Sequence, residues 1–247
     1  MKLLISFLIF GFSYLFAQEQ APMINLSVAA VDEPAQFVRT INIAIILALL
    51  VLAPTLLLMI TSFTRIVIVF SLLRQALGLQ QTPPTQIIIS LALIMTVFIM
   101  EPYAKKSWET GIKPYMDEQI GYEVALENSI EPFKEFMLKN TRESDLALFY
   151  RIKKEENPKN IEDISITVLM PAFIVSELRT AFEIGFLIFL PFLVIDIIVS
   201  SILMSLGMMM LPPVMISLPI KLIFFIVVDG WALIIGNLAQ SFKWRAL

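Results

Sequence analysis

The sequence predicts an all-α integral membrane-type protein: four long, kinked hydrophobic helices forming helical hairpins, with a small, mainly helical soluble insertion. Three observations predict it. The 247 residues are 58% hydrophobic and the mean hydropathy is +0.83, where soluble domains run about 45–50% apolar. Several apolar runs approach or exceed the ~20 residues that cross a bilayer. Between them lies one block of a different kind: residues 104–164 hold 10 Lys or Arg and 13 Asp or Glu. The net charge of −3 offers no basic surface for nucleic acid. There is no cysteine or histidine, so disulfides, thiol catalysis, the usual zinc sites and an imidazole base are all excluded. No cofactor is expected. Thirteen methionines supply flexible, polarizable packing.

In chain order, residues 1–17 (MKLLISFLIFGFSYLFA) join one basic residue, a short apolar core and a small residue before polar QEQ. That pattern reads as a signal peptide cleaved after Ala17, the alternative being a retained short anchor. Residues 18–36 are polar, carry Pro22 and Pro34, and read as a loose segment. The first hydrophobic hairpin covers 37–103. Its first run, Ile41–Leu73, would be about 50 Å long as one helix against a hydrocarbon core of about 30 Å, so it must tilt, break or extend beyond the membrane. Pro54 is the expected kink. Arg65 and Arg74 suggest the cytoplasmic side or, for Arg65, a side chain snorkelling to an interface. GLQQTPPT (78–85) is a turn, with Thr82 placed to cap the next helix. The apolar part of that helix is Ile87–Met100, short for a span, and Pro102 is expected to end it.

Residues 104–165 form the soluble insertion, placed outside the cytoplasm by alternation of the spans. Glu131–Lys139 and Arg142–Glu156 have helical patterning, and Leu146, Phe149 and Tyr150 share a face. Its mixed charges read as a solvated surface and show no paired-carboxylate geometry. The second hairpin covers 166–242 and a tail 243–247. Pro171 can start its first helix, and SELRTAFE sets Glu177, Arg179 and Glu183 just before the apolar part. Asn237–Leu247 reads as a polar tail with Trp244 suited to an interface.

The second hairpin is the centre of the chain. Gly207 can end its first arm in a left-handed cap, and Pro212 and Pro213 can open the second. Met208, Met209 and Met210 then form the tip. Asp196 lies 12 residues before Met208 and Lys221 lies 12 after Met209, so the two face each other at one depth. A lone charge at mid-membrane costs about 2.5–3.5 kcal/mol or more, so such groups pair or line a polar path. Asp196 and Lys221 therefore read as a register-fixing pair, a proton or ion relay, or a contact with other subunits. Asp229 has no mirror-image partner, which points to one on another chain. No phosphate-binding glycine loop, metal cluster, nucleophile elbow or internal repeat is present. Two helices too long for a bilayer and one barely long enough make more sense packed in an assembly.

Three segments, TSFTRIVIVFSLLRQALGLQQTPP (61–84), PAFIVSELRTAFEIGFLIFLPFLVIDIIVSSILMSLGMMMLPP (171–213) and ISLPIKLIFFIVVDGW (216–231), resemble the FliP/SctR family of type III secretion export-gate proteins. The resemblance runs from about Arg39 to Phe242 and matches the insertion in position more than in detail. It implies a protein that is not an enzyme. It also implies a homo-oligomer, pentameric in the family, built with FliQ and FliR and other export-apparatus membrane proteins. The place implied is the bacterial inner membrane within the flagellar basal body, with the insertion periplasmic. Unfolded flagellar subunits would pass through the assembly, and Met208, Met209 and Met210 would form its constriction. An apolar thioether ring can dewet and still seal around varied peptides; the competing reading is a hydrophobic tip at an interface. Glu177, Arg179, Glu183, Arg65 and Asp229 are candidate subunit contacts. The competing functions are the virulence-type counterpart, an ion- or proton-coupled transporter using Asp196, Lys221 and Asp229, and a scaffold that only nucleates FliQ and FliR.

Overall fold

The computed structural model describes residues 34–155, 158, 163–208 and 211–242; the side chains of 34–37 and 49 fall outside that description. Among the described residues the elements are all helical: α1 (Pro34–Met59), α2 (Phe63–Ala76), α3 (Thr85–Ser107), a π-helical turn (Trp108–Ile112) running into the single turn α4 (Lys113–Met116), α5 (Tyr122–Asn140), α6 (Glu143–Lys153), α7 (Ile166–Ser205), α8 (Pro213–Val227) and α9 (Gly230–Ser241). Three helical stretches are long and apolar enough to cross a membrane: 38–59, 85–116 and 166–205. The bent pair α8 and α9 makes a fourth if it counts as one span. Two compact units divide the chain, 1–51 and 52–247. In the first, the described side chains of α1 are exposed.

The core of the second unit follows from helical spacing. On α2, Ile66, Val69, Phe70 and Leu73 recur at i, i+3, i+4 and i+7 and are 0–2% exposed. They pack on α7, where Leu169, Phe173 and Ala181 are fully buried. α3 adds Ile88, Ala92 and Met100. The insertion joins the same core through α5: the Phe136 ring lies 5.1 Å from Tyr103, 5.8 Å from Phe173 and 6.0 Å from Phe242. Each such buried side chain contributes about 1.5–3 kcal/mol. The insertion is thus anchored in the hydrophobic body and not merely tethered to it.

Several expected helix boundaries move. The run from Ile41 to Leu73 breaks at 60–62, while α1 continues through Pro54. At the break Thr61 Oγ1 donates to the Leu58 carbonyl (2.8 Å) and accepts the Phe63 N–H (3.4 Å), a local alternative to the helical ladder. Thr82 does not cap α3; Pro84 stands at that position. Pro102 does not stop α3, and Pro171 sits inside α7, which begins five residues earlier. A proline inside a helix costs about 3 kcal/mol. Here packing on both sides offsets it, with Met100 and Tyr103 around the first, Leu169 and Phe173 around the second. Asn237–Ser241 is the last turn of α9 and not a tail, because Leu238 is 2% exposed in the core. Pro34, expected in a loose segment, opens α1.

Candidate functional site

Arg65 stands on the buried face of α2 beside Ile66 and is 0% exposed. Across from it on α7, Glu177 is also 0% exposed. The guanidinium grips the carboxylate with two nitrogens, Nε to Oε2 at 2.8 Å and Nη2 to Oε1. Two further hydrogens go to Ser241 Oγ at the end of α9 (2.9 Å) and to Asn140 Oδ1 at the end of α5 (3.3 Å). The Phe242 ring covers its face, with Cζ 3.9 Å from the centroid. Two helices of the hairpins, the insertion and the α9 end thus meet on one cation. A buried pair stabilises only when the remaining polar atoms find partners, and here each guanidinium nitrogen has one.

The rest of SELRTAFE seats α6 on α7. Ser176 Oγ donates to Asp145 Oδ2 (2.7 Å) and accepts the Arg142 N–H (3.0 Å). Arg179 Nη1 lies 3.5 Å from Asp145 Oδ1, and Arg142 pairs with Glu183. Of the charges weighed as subunit contacts, Arg65, Glu177, Arg179 and Glu183 therefore have partners within the chain. Asn140, Asp145, Ser176, Ser241 and Phe242 escaped the sequence reading. Asn140 lies 75 residues from Arg65 and Ser241 lies 176, and no local spacing signals such a meeting.

The second ion pair sits higher on the hairpin. Lys221 Nζ donates to Asp196 Oδ2 at 2.6 Å and to the Ala76 carbonyl, a free acceptor at the end of α2, at 3.2 Å. A cation is favoured at a helix C-terminus. The pair is asymmetric: the Lys221 side chain is 7% exposed and that of Asp196 37%. Asp196 Oδ1 is shielded and has no hydrogen-bond partner.

Beyond Asp196, α7 continues through Ser205, about nine residues or 14 Å past the level of Ala76. That extension bares Ile197, Ile198, Ile202 and Met204, each 52–60% exposed. It ends at Gly207, whose φ of +72° lies in the left-handed region that favours glycine. The Met208 N–H bonds the Leu203 carbonyl (3.0 Å) and the Gly207 N–H bonds Met204 (3.1 Å), a Schellman cap. Pro212 precedes α8 and Pro213 opens it. Met208 is 41% exposed; Met209, Met210 and Ala17 lie outside the described residues. The first hairpin uses the same device: Gly78 has φ +78°, with Gly78 N–H to Gln75 and Leu79 N–H to Arg74. Pro83 and Pro84 follow Gly78 at the same spacing that Pro212 and Pro213 follow Gly207.

Asp229 stands where the second arm breaks. α8 ends at Val227, α9 begins at Gly230, and their axes differ by 65°. Asp229 is exposed and does not cap α9 with its side chain. Among the described residues no three acids lie together as a metal-holding group.

Residues 46–238 match the FliP family. The chain is 50% identical over 205 residues to the flagellar biosynthetic protein FliP of Caulobacter vibrioides, covering 83% of this chain and 77% of that protein. It is 48% identical over 217 residues to the protein of that name from Bacillus subtilis, covering 88% and 98%. Against that of Pectobacterium carotovorum it is 50% identical over 203 residues, covering 82% and 79%. With most of its length matched at about half identity, the chain belongs to the FliP family of flagellar biosynthetic proteins.

Proposed function

We propose that this chain is a core pore-forming subunit of the flagellar type III export gate. It conducts unfolded flagellar subunits across the bacterial inner membrane and nucleates assembly with FliQ and FliR. The role is structural, without enzymatic chemistry. The observation that carries the reading is the family match over 46–238. The outer face of the second hairpin supports it: past the Lys221 level Ile197, Ile198, Ile202 and Met204 of α7 are 52–60% exposed, while Val199 and Leu203 on its other face are buried. Several copies, five by the family resemblance, bring these tips together, and Met208–Met210 form the constriction. The insertion, 104–165, faces the periplasm, and residues 1–17 are removed after Ala17. The two hydrophobic hairpins, 37–103 and 166–242, are the packing units of the gate.

The test is native mass spectrometry of the detergent-purified chain, alone and co-expressed with FliQ and FliR, followed by ion-leak measurement. A discrete multi-copy complex with both partners is expected, and Met208→Ala, Met209→Ala and Met210→Ala together should raise ion leak through it. A chain that stays monomeric or dimeric and takes up neither partner overturns the reading. An intact complex whose leak is unchanged leaves a scaffold without a methionine seal.

A further inference from the structure

The α8–α9 elbow presents a carboxylate in an apolar surface and gives it nothing to bind. Asp229 is exposed, and among the described residues it makes no hydrogen bond or ion pair through its side chain. Its surroundings are not those of a solvated charge: Ile223, Ile226 and Val227 are 63–77% exposed and Trp231 is 41% exposed. The elbow lies within an apolar stretch that qualifies, taken with α9, as a membrane span. An unpaired carboxylate there is costly and is normally met by a partner charge.

The elbow is also closely packed on one side. Asp229 has φ 50° and ψ 52°, a left-handed conformation that Asp, Asn and Gly tolerate better than other residues. A Cβ at Gly230 would come within 2.2 Å of the Phe225 ring, and that ring packs edge-on against Trp231 at 5.6 Å. The backbone is wedged on one side by aromatic rings, and the carboxylate is held out on the other.

We propose that Asp229 pairs with a Lys or Arg carried on an apolar helix of a different polypeptide packed over this elbow. The partner chemistry follows from charge. The partner is a different chain because a second copy has little to offer: within its apolar helices, Arg65 is enclosed by Glu177, Lys221 is held by Asp196, and Arg74 braces its own turn through Pro83 and Thr85. Arg179 on α7 lies 3.5 Å from Asp145, and Lys105 and Lys106 at the end of α3 pair with Glu109 and Glu135, which leaves Arg39, near the start of α1. The proposal rests on the reading of the chain as one subunit of a larger membrane complex, and deepens it.

Three variants separate charge from backbone, tested in the full chain co-expressed with its export-gate membrane partners. Asp229→Asn and Asp229→Gly keep the left-handed turn and remove the charge, whereas Asp229→Ala also strains the turn. If the carboxylate is a contact, Asn and Gly both lower partner retention at limiting concentration by about tenfold or more, the order seen when one member of a desolvated pair is removed. Thermal stability of the chain purified alone should stay at the wild-type value for Asn and Gly. A benzophenone amino acid at Val228 should then crosslink to a partner helix beside a basic residue. Full retention of partners by Asn and Gly, or a crosslink to a second copy near Arg39, overturns the proposal while leaving the gate reading intact. Failure of the wild-type complex to form at all would instead strike at that reading.

Discussion

Arg65 and Lys221 are both cations buried in apolar helices, each with a carboxylate from α7, yet the protein treats them differently. Arg65 has two contacts to Glu177, one each to Asn140 and Ser241, and a ring over its face, and neither member of the pair is solvent-accessible. Lys221 has one carboxylate oxygen and one backbone carbonyl, and its partner Asp196 is over a third exposed with one oxygen unmatched. The first node joins elements that must stay together: α2, α5, α7 and α9. The second lies at the base of a hairpin tip whose outer face is exposed. A closed network serves architecture; an open one leaves capacity for something outside the chain. A third arrangement, the Lys106–Glu135–Lys139 bridge on the insertion, is solvated and completes the series.

If enclosure decides the strength, breaking the first node has the largest effect. Glu177→Ala leaves Arg65 as an uncompensated buried charge and should cost about 3–5 kcal/mol. Thermal unfolding of the purified chain should show it as a large drop or as failure to accumulate. Arg65→Lys keeps the charge but cannot reproduce the fork toward Glu177 with the bonds to Asn140 and Ser241, so it should be nearly as harmful. A near-wild-type Arg65→Lys would mean that charge alone, not the shaped network, holds the four elements.

The second node should break more gently. Asp196→Ala strands Lys221 at 7% side-chain exposure, but the Ala76 carbonyl still accepts one of its hydrogens. The expected loss is about 1–3 kcal/mol, the cost of an unsatisfied buried group with partial relief. Lys221→Met added to Asp196→Ala should recover part of it by removing the stranded cation. Equal destabilisation by the single and double variants, read by thermal unfolding, would show that Lys221 is not stranded and that the two residues act separately.

The two nodes also differ in how far the sequence discloses them. Asp196 and Lys221 were visible because a hairpin has mirror symmetry about its turn: equal counts from Met208 and Met209 put them at one depth. Arg65 and Glu177, 112 residues apart, have no such ruler. Arg65 could be seen as an oddity in an apolar run, but its partners come from separate helices whose approach is set by tertiary packing. Helix type was legible throughout, since long apolar runs and the charged block leave little alternative. Boundaries at Pro102 and Pro171 were not, because packing on both flanks outweighs a local rule. The elbow at Asp229 hid for the opposite reason. DGW in an apolar run looks like one helix by composition, and only the crowding of Gly230 by Phe225 shows why the chain turns there.

The exposed bridge should yield the smallest effect, and one with a pH signature. Lys106 and Lys139 both donate to Glu135 at 2.8 Å and hold its carboxyl below the ordinary value, the Lys106 bond being the larger cause. Lys139 is raised in turn by its bond to Glu135. A carboxyl with a depressed folded-state pKa binds protons less readily than in the unfolded chain. Its contribution is therefore present above the unfolded value and is lost as pH falls through the folded one. The raised Lys139 behaves oppositely: its share persists through neutral pH and fades only as pH rises past the folded lysine value. Solvent screens all three side chains, so Glu135→Gln should cost below about 1 kcal/mol at neutral pH, and less in high salt. The gap between variant and wild type should close on the acid side as Glu135 protonates. A gap that persists well below the carboxylate range, or that salt does not touch, would mean that Glu135 works through packing of its stem. The rule that burial sets the worth of an ion pair would then fail at its exposed end.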